Sequence, residues 1–246
     1  VLGGVAAVRS TQEHSLAQRF EHESEEAASR LQRRLDALTD AVSAISQVMA
    51  LGDRIDRNGF FNATAPWLTR YPGILNFGWS PLVTAGERET FEQNQARTRN
   101  EPFRVLGRNP QGGTFAAGAA AQHLPITLVE PLERNRSVLG LDILVLPATA
   151  AVAQRAIHSR SAQVSAPFHL VQETGSQKGV VMYLPVYDRA RPDQLLGIVS
   201  AAGSVGAMIA AGVPGWWALL PVQGVLIIFL FTLEHEATHR TPFRTV

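Results

Sequence analysis

A run of 21 residues without a charge, 213–233 (VPGWWALLPVQGVLIIFLFTL), is the strongest constraint on this 246-residue chain. A helix needs about 20 apolar residues to cross the hydrocarbon core of a bilayer. Trp216 and Trp217 stand at the leading edge, where aromatic rings favour the membrane interface. Glu234, His235, Glu236, His239 and Arg240 follow at once, where such a span meets water. Pro221 is tolerable in a membrane helix. The segment therefore reads as a transmembrane helix over 213–233. Residues 234–246 then form a cytoplasmic juxtamembrane segment, the side favoured by Arg240 and Arg244. A buried core helix is the other reading, and 21 uncharged residues is long for one.

The opposite end of the chain is helical in a different way. Residues 1–8 (VLGGVAAV) are apolar but short, and lack the basic stretch of a signal peptide. They read as the tail of a first membrane span or as an ordinary helix start. From residue 10 no Pro or Gly interrupts the chain until Gly52. Leu31, Leu35, Leu38, Val42, Ile45 and Met49 recur at alternating spacings of four and three, which is an a/d stripe. The other faces carry Glu21, Glu23, Glu25, Glu26, Arg30, Arg33, Arg34 and Asp36. At 1.5 Å per residue the helix would run roughly 65 Å, a stalk more than a globular helix. Its stripe either docks on the domain that follows or pairs with a second copy. Residues 1–58 are assigned to this stalk.

Between the two helices, residues 59–212 read as mixed α/β. Candidate strands are 75–81, 103–106, 125–130, 164–170, 180–187 and 195–201, rich in β-branched and aromatic residues and bounded by Gly, Pro and Asn. Candidate helices are 85–99 and 147–159, and the small, Gly-rich stretch 108–121 reads as a loop. With 46% hydrophobic residues the chain as a whole can bury a real core. A net charge of +1 gives no electrostatic case for nucleic acid. Without cysteine there are no disulfides, thiolate metal sites or cysteine nucleophiles. No phosphate-binding loop, nucleophile elbow or dinucleotide glycine motif is present, so neither catalysis nor a cofactor is expected.

A series of short motifs carries a resemblance. Tyr71-Pro72-Gly73-Ile74 leads to Phe77-Gly78-Trp79-Ser80-Pro81, then Glu87-Arg88 and Phe91-Glu92. Val129-Glu130-Pro131, Asn135, Leu139-Gly140-Leu141-Asp142 and Val164-Ser165-Ala166-Pro167 follow in order. Gln172-Glu173, Gly179-Val180, Leu184-Pro185-Val186-Tyr187 and Gly197 close the series. In this order and spacing, over roughly residues 60–210, the chain resembles a CHASE domain. That is the extracytoplasmic sensor module of bacterial histidine kinases, cyclic-di-GMP enzymes and plant cytokinin receptors. The resemblance implies an α+β fold: a long stalk helix, two PAS-like subdomains with antiparallel sheets, then the transmembrane helix. It also implies a homodimer through the stalk, a pocket for a small molecule or peptide, and a place in the bacterial inner membrane with the sensor periplasmic or extracellular.

The same resemblance points to individual residues. Ser165 matches a strand residue that faces the ligand, and the 179–187 strand matches a pocket wall. Alternation along that strand puts Val181 and Tyr183 on one face. The strand from Pro125 to Glu130 matches the one ending near the acidic residue with which plant receptors bind adenine. Here Glu130-Pro131 is followed by a loop of different length, which departs from cytokinin recognition. Phe77, Trp79, Val181 and Tyr183 could wall such a pocket, with Ser165 and Glu130 as its polar contacts. The bland alternatives are core packing for Phe77 and Trp79, a strand-edge hydroxyl for Ser165, and a surface carboxylate for Glu130. Asp142 is expected to be structural.

One motif competes. His235-Glu236-Ala237-Thr238-His239 spells H-E-x-x-H, which on a helix sets two imidazoles on one face with a glutamate as base for a zinc-bound water. Only seven residues follow it, none of them His, Asp or Glu, and Pro242 ends the helix within a turn. The favoured function is therefore the extracytoplasmic ligand-sensing domain of a receptor anchored in the lipid bilayer by its transmembrane helix, with its output domain outside this sequence. A membrane-tethered zinc protease and a ligand-free spacer are the alternatives.

Overall fold

The computed structural model describes residues 2–51, 55–109, 112–147, 149–169, 178–204 and 206–207. The expected transmembrane helix (213–233), the juxtamembrane segment and the H-E-x-x-H motif lie outside these residues. Among the described residues no helix is long and apolar enough to cross a membrane.

Helix α1 runs Leu2–Met49, as a stretch free of interior Pro allows. Helix α2, Arg57–Arg70, follows; Asp56 caps it by accepting the Gly59 N–H at 2.8 Å. No element was expected there. Strands β1 (Ile74–Pro81) and β2 (Val83–Thr84) precede helix α3 (Arg88–Arg99). Four short strands come next: β3 (Leu106–Arg108), β4 (Thr114–Ala116), β5 (Gln122–His123) and β6 (Leu128–Glu130). Helix α4 (Leu132–Asn135), a single 3₁₀ turn and helix α5 (Ala150–Ser159) lead to β7 (Gln163–Val164), β8 (Gly179–Tyr187) and β9 (Leu195–Ser204). The loop expected over 108–121 thus contains a strand, β4, which pairs antiparallel with β3.

Five strands form one antiparallel sheet in the order β6-β1-β9-β8-β7. β3 with β4, and β2 with β5, make two-stranded ribbons. The fold is mixed α/β with an antiparallel sheet behind a long N-terminal helix. The described residues hold one five-stranded sheet and two ribbons, which do not by themselves establish the expected two PAS-like subdomains.

Both faces of the sheet are covered, so its long strands are buried almost throughout. One face seats α1. Leu38, Ala41, Val42, Ile45 and Met49 pack with Phe60 of α2 and with Phe77, Trp79, Val180, Met182, Val186, Val199 and Ala201. The a/d stripe is thus used, from Leu38 onward, to dock on the chain's own sheet. On the other face, α5 contributes Val152, Ala153 and Ala156 to a cluster with Leu124, Ile143, Tyr183 and Ile198. A third cluster, Val129, Leu132, Val138 and Leu141, closes the β6 end of that face.

Candidate ligand pocket

The face away from α1 is not packed solid. A cavity of about 220 Å³ lies between the sheet and the segments that cover it. Its floor is the alternate residues of three adjacent strands: Asn76 and Gly78 of β1, Ser200 and Ala202 of β9, Val181 and Tyr183 of β8. The period of two explains the division. Phe77, Trp79, Val199, Ala201, Val180 and Met182 alternate with these residues and lie under the helix. Gly78 keeps the floor open: a Cβ there would come within 2.6 Å of the Ser200 hydroxyl.

Ile126, Val129, Val138, Leu141 and Leu146 make an apolar wall. Arg108, Asn109, Phe168 and His169 come from the chain segments beside the cavity, and Thr149 from the start of α5. Asn76 is oriented by donating to Asn135 Oδ1 at 3.0 Å, and Asn135 in turn donates to the Pro131 carbonyl at 2.7 Å. Burial pushes the Tyr183 hydroxyl up to about 12, so the phenol stays a proton donor at any physiological pH. The adjacent Thr149 hydroxyl opposes this only in part, and the two do not reach hydrogen-bond geometry.

The seven residues singled out from the sequence separate into groups. Val181 and Tyr183 line the cavity together. Ser165 is buried beside them and positions the wall: its N–H donates to the Val181 carbonyl at 2.9 Å, and its hydroxyl accepts the Val181 N–H at 3.0 Å. Phe77 and Trp79 face the opposite way, into the core beneath α1. Glu130 is buried on β6 and pairs with Arg57 Nε of α2 at 3.5 Å, on the helix side with its strand partner Phe77. Pro125 bridges to Asp142 outside the lining, where its neighbour Ile126 takes part. Asp142 is structural, as expected: it accepts the Leu124 and Leu144 N–H groups and meets His123 Nδ1 at 2.7 Å, with both side chains buried.

The sequence reading missed Asn76, Gly78, Ser200 and Ala202. The signal that finds them is alternation, since they are the neighbours of bulky residues that the helix face claims. Arg108 and Thr149 carry no such signal, because Arg108 ends the three-residue β3, too short to show alternation, and Thr149 is the residue before α5. Among the described residues no group of His, Asp or Glu could hold a metal ion.

The model of the CHASE domain matches residues 53–220. No curated protein matches the chain. Among solved structures, the ligand-binding domain of the Pseudomonas aeruginosa amino acid chemoreceptor PctC, in complex with GABA, is 16% identical with a TM-score of 0.41. That match covers 76% of this chain and 60% of the other. The periplasmic sensory domain of the Campylobacter jejuni chemoreceptor Tlp1 is 11% identical with a TM-score of 0.46, covering 79% and 61%. An extracellular ligand-binding receptor from Desulfohalobium retbaense is 14% identical with a TM-score of 0.46, covering 75% and 26%. The chain spans less than two thirds of each of these three. The matched region runs from just before α2 through the whole cavity-bearing sheet, more than half of the sequence, and the chain belongs to the CHASE domain family.

Proposed function

We propose that the chain is the extracytoplasmic sensing domain of a membrane receptor, which binds a small molecule in the cavity between the sheet and α5. The family is a sensory one, and the chain is not itself an enzyme. The observation that carries the reading is the shared strands: β1, β9 and β8 form the cavity floor with one set of residues and the seat of α1 with the other. A ligand that favours one arrangement of those strands changes the surface on which α1 rests. It can shift the equilibrium only by its differential affinity for the two arrangements. Close packing makes such a sheet transmit a small displacement instead of absorbing it.

The rest of the receptor is part of the same proposal, supported by the sequence reading of 213–233 and by the family resemblance. The ligand state passes through the transmembrane helix at 213–233 to a cytoplasmic output domain, a histidine kinase or a cyclic-di-GMP enzyme. The receptor sits in a bacterial inner membrane with the sensor on its outer side. The homodimer of this reading forms through the stalk helix α1, whose Phe20 is 74% exposed while the stripe from Leu38 onward packs on the sheet.

A thermal-shift screen of the full chain in detergent, against purines, short peptides, carboxylates and aromatic acids, tests the binding step. A stabilising compound is expected, and Ala202→Leu, which fills the floor, is expected to abolish its effect while the protein still melts cooperatively. Retention of the full effect in that variant would rule the cavity out.

A further inference from the structure

The cavity lining is one-sided in its chemistry. Among the described residues it carries Arg108 and His169 and no Asp or Glu. Arg108 lines the cavity and has no carboxylate partner among the described residues. At the start of α5, Thr149 is 3% exposed and lines the cavity; its Oγ1 stands beside the Tyr183 hydroxyl, and among the described residues it has no partner in hydrogen-bond geometry. Threonine at a helix N-cap ordinarily turns its hydroxyl back onto a backbone N–H of the first turn. Here it makes no such bond, although α5 is ten residues long and its end carries the positive pole of the helix. A buried hydroxyl without a partner is costly and calls for one.

Resting on the sensor reading above, we propose that the ligand is a small apolar carboxylate. Its acid group accepts the Thr149 hydroxyl at the N-terminus of α5, and Arg108 supplies the compensating charge. An ionised carboxylate only accepts hydrogen bonds, which matches a lining whose Thr149 and Tyr183 hydroxyls and Arg108 guanidinium can all donate. A carboxylate also gains from the positive end of a helix, where a neutral amide or an amine does not. The body of the ligand meets Ile126, Val129, Leu141 and Leu146. Size limits it further: a cavity of about 150 Å³ takes a benzene molecule, so about 220 Å³ takes one ring with a short side arm.

The test uses phenylacetate, phenylacetamide and phenethylamine as isosteric probes, titrated by calorimetry into the full chain in detergent. Phenylacetate is expected to bind at least tenfold more tightly than either of the others. Thr149→Val and Arg108→Gln are each expected to weaken it about tenfold, with Thr149→Ser restoring the loss and all three variants melting as the wild type does. Phenylacetamide binding as tightly as phenylacetate, or Thr149→Val leaving the affinity unchanged, would overturn the carboxylate assignment while leaving the sensor reading intact. No heat from any of the three, together with a blank in the wider thermal-shift screen, would overturn both.

Discussion

Single residues set the chemistry of this domain by what they are denied. Tyr183 is denied water, and burial holds its phenol up to about 12, so it keeps its proton and can donate it in a hydrogen bond. Glu92 shows the opposite outcome. Burial pushes its carboxyl up, but the Val105 N–H, Arg104, Arg88 and the Arg88 charge together outweigh this and hold it below its ordinary value of 4.5. A carboxyl lowered in the folded state contributes stability that is fully present above about pH 4.5. That stability is lost as pH falls through the lower folded-state value, because the unfolded chain then binds the proton more readily. The urea midpoint of the wild type is therefore expected to fall on going from about pH 7 to about pH 3. In Glu92→Gln the fall should be smaller, and the gap between the two proteins should narrow toward the acid end. An equal gap at both pH values would mean that Glu92 acts through packing alone.

At the scale of elements, the docking of α1 is what the a/d stripe decides. Ile45 is fully buried between the helix and the sheet. Ile45→Ala is expected to cost about 2–5 kcal/mol, read from denaturant midpoints, because it leaves a cavity where the sheet cannot close up. The stripe itself was visible in the sequence, but both a dimer seam and an intramolecular seat satisfy the same spacing. The three long strands were also legible, since β1, β8 and β9 are continuous apolar or β-branched runs between turn residues. Helix α2 was not, because Gly59 and Pro66 interrupt the pattern that would announce it. Tertiary contacts overrode that local signal: Phe60 is fully buried in the cluster it shares with α1. The strand expected at 103–106 lies a few residues later, as β3, where it pairs with β4.

At the scale of the whole molecule, one sheet serves two clients, a helix on one side and a cavity on the other. The dimer proposed above forms through the stalk helix α1. The full chain in detergent is expected to be dimeric by light scattering, and removal of residues 1–30 to give a monomer that still melts cooperatively. A deletion variant that remains dimeric would move the seam elsewhere.

The sequence by itself determined the long helix, the three long strands, the absence of catalytic and metal-binding motifs in the matched region, and the family. All of these follow from local periodicity or from residues met in order along the chain. It also determined that Val181 and Tyr183 share a face, because alternation is a property of the strand alone. Only the tertiary structure decided which face meets which neighbour. A period of two says that a strand has two sides, and nothing local says which one receives α1. That is why Phe77 and Trp79, plausible pocket walls by composition, lie under the helix, while Asn76, Gly78 and Ser200 form the floor. It is also why Thr149 passed unnoticed: a hydroxyl becomes a binding group through the partners that the surrounding fold withholds.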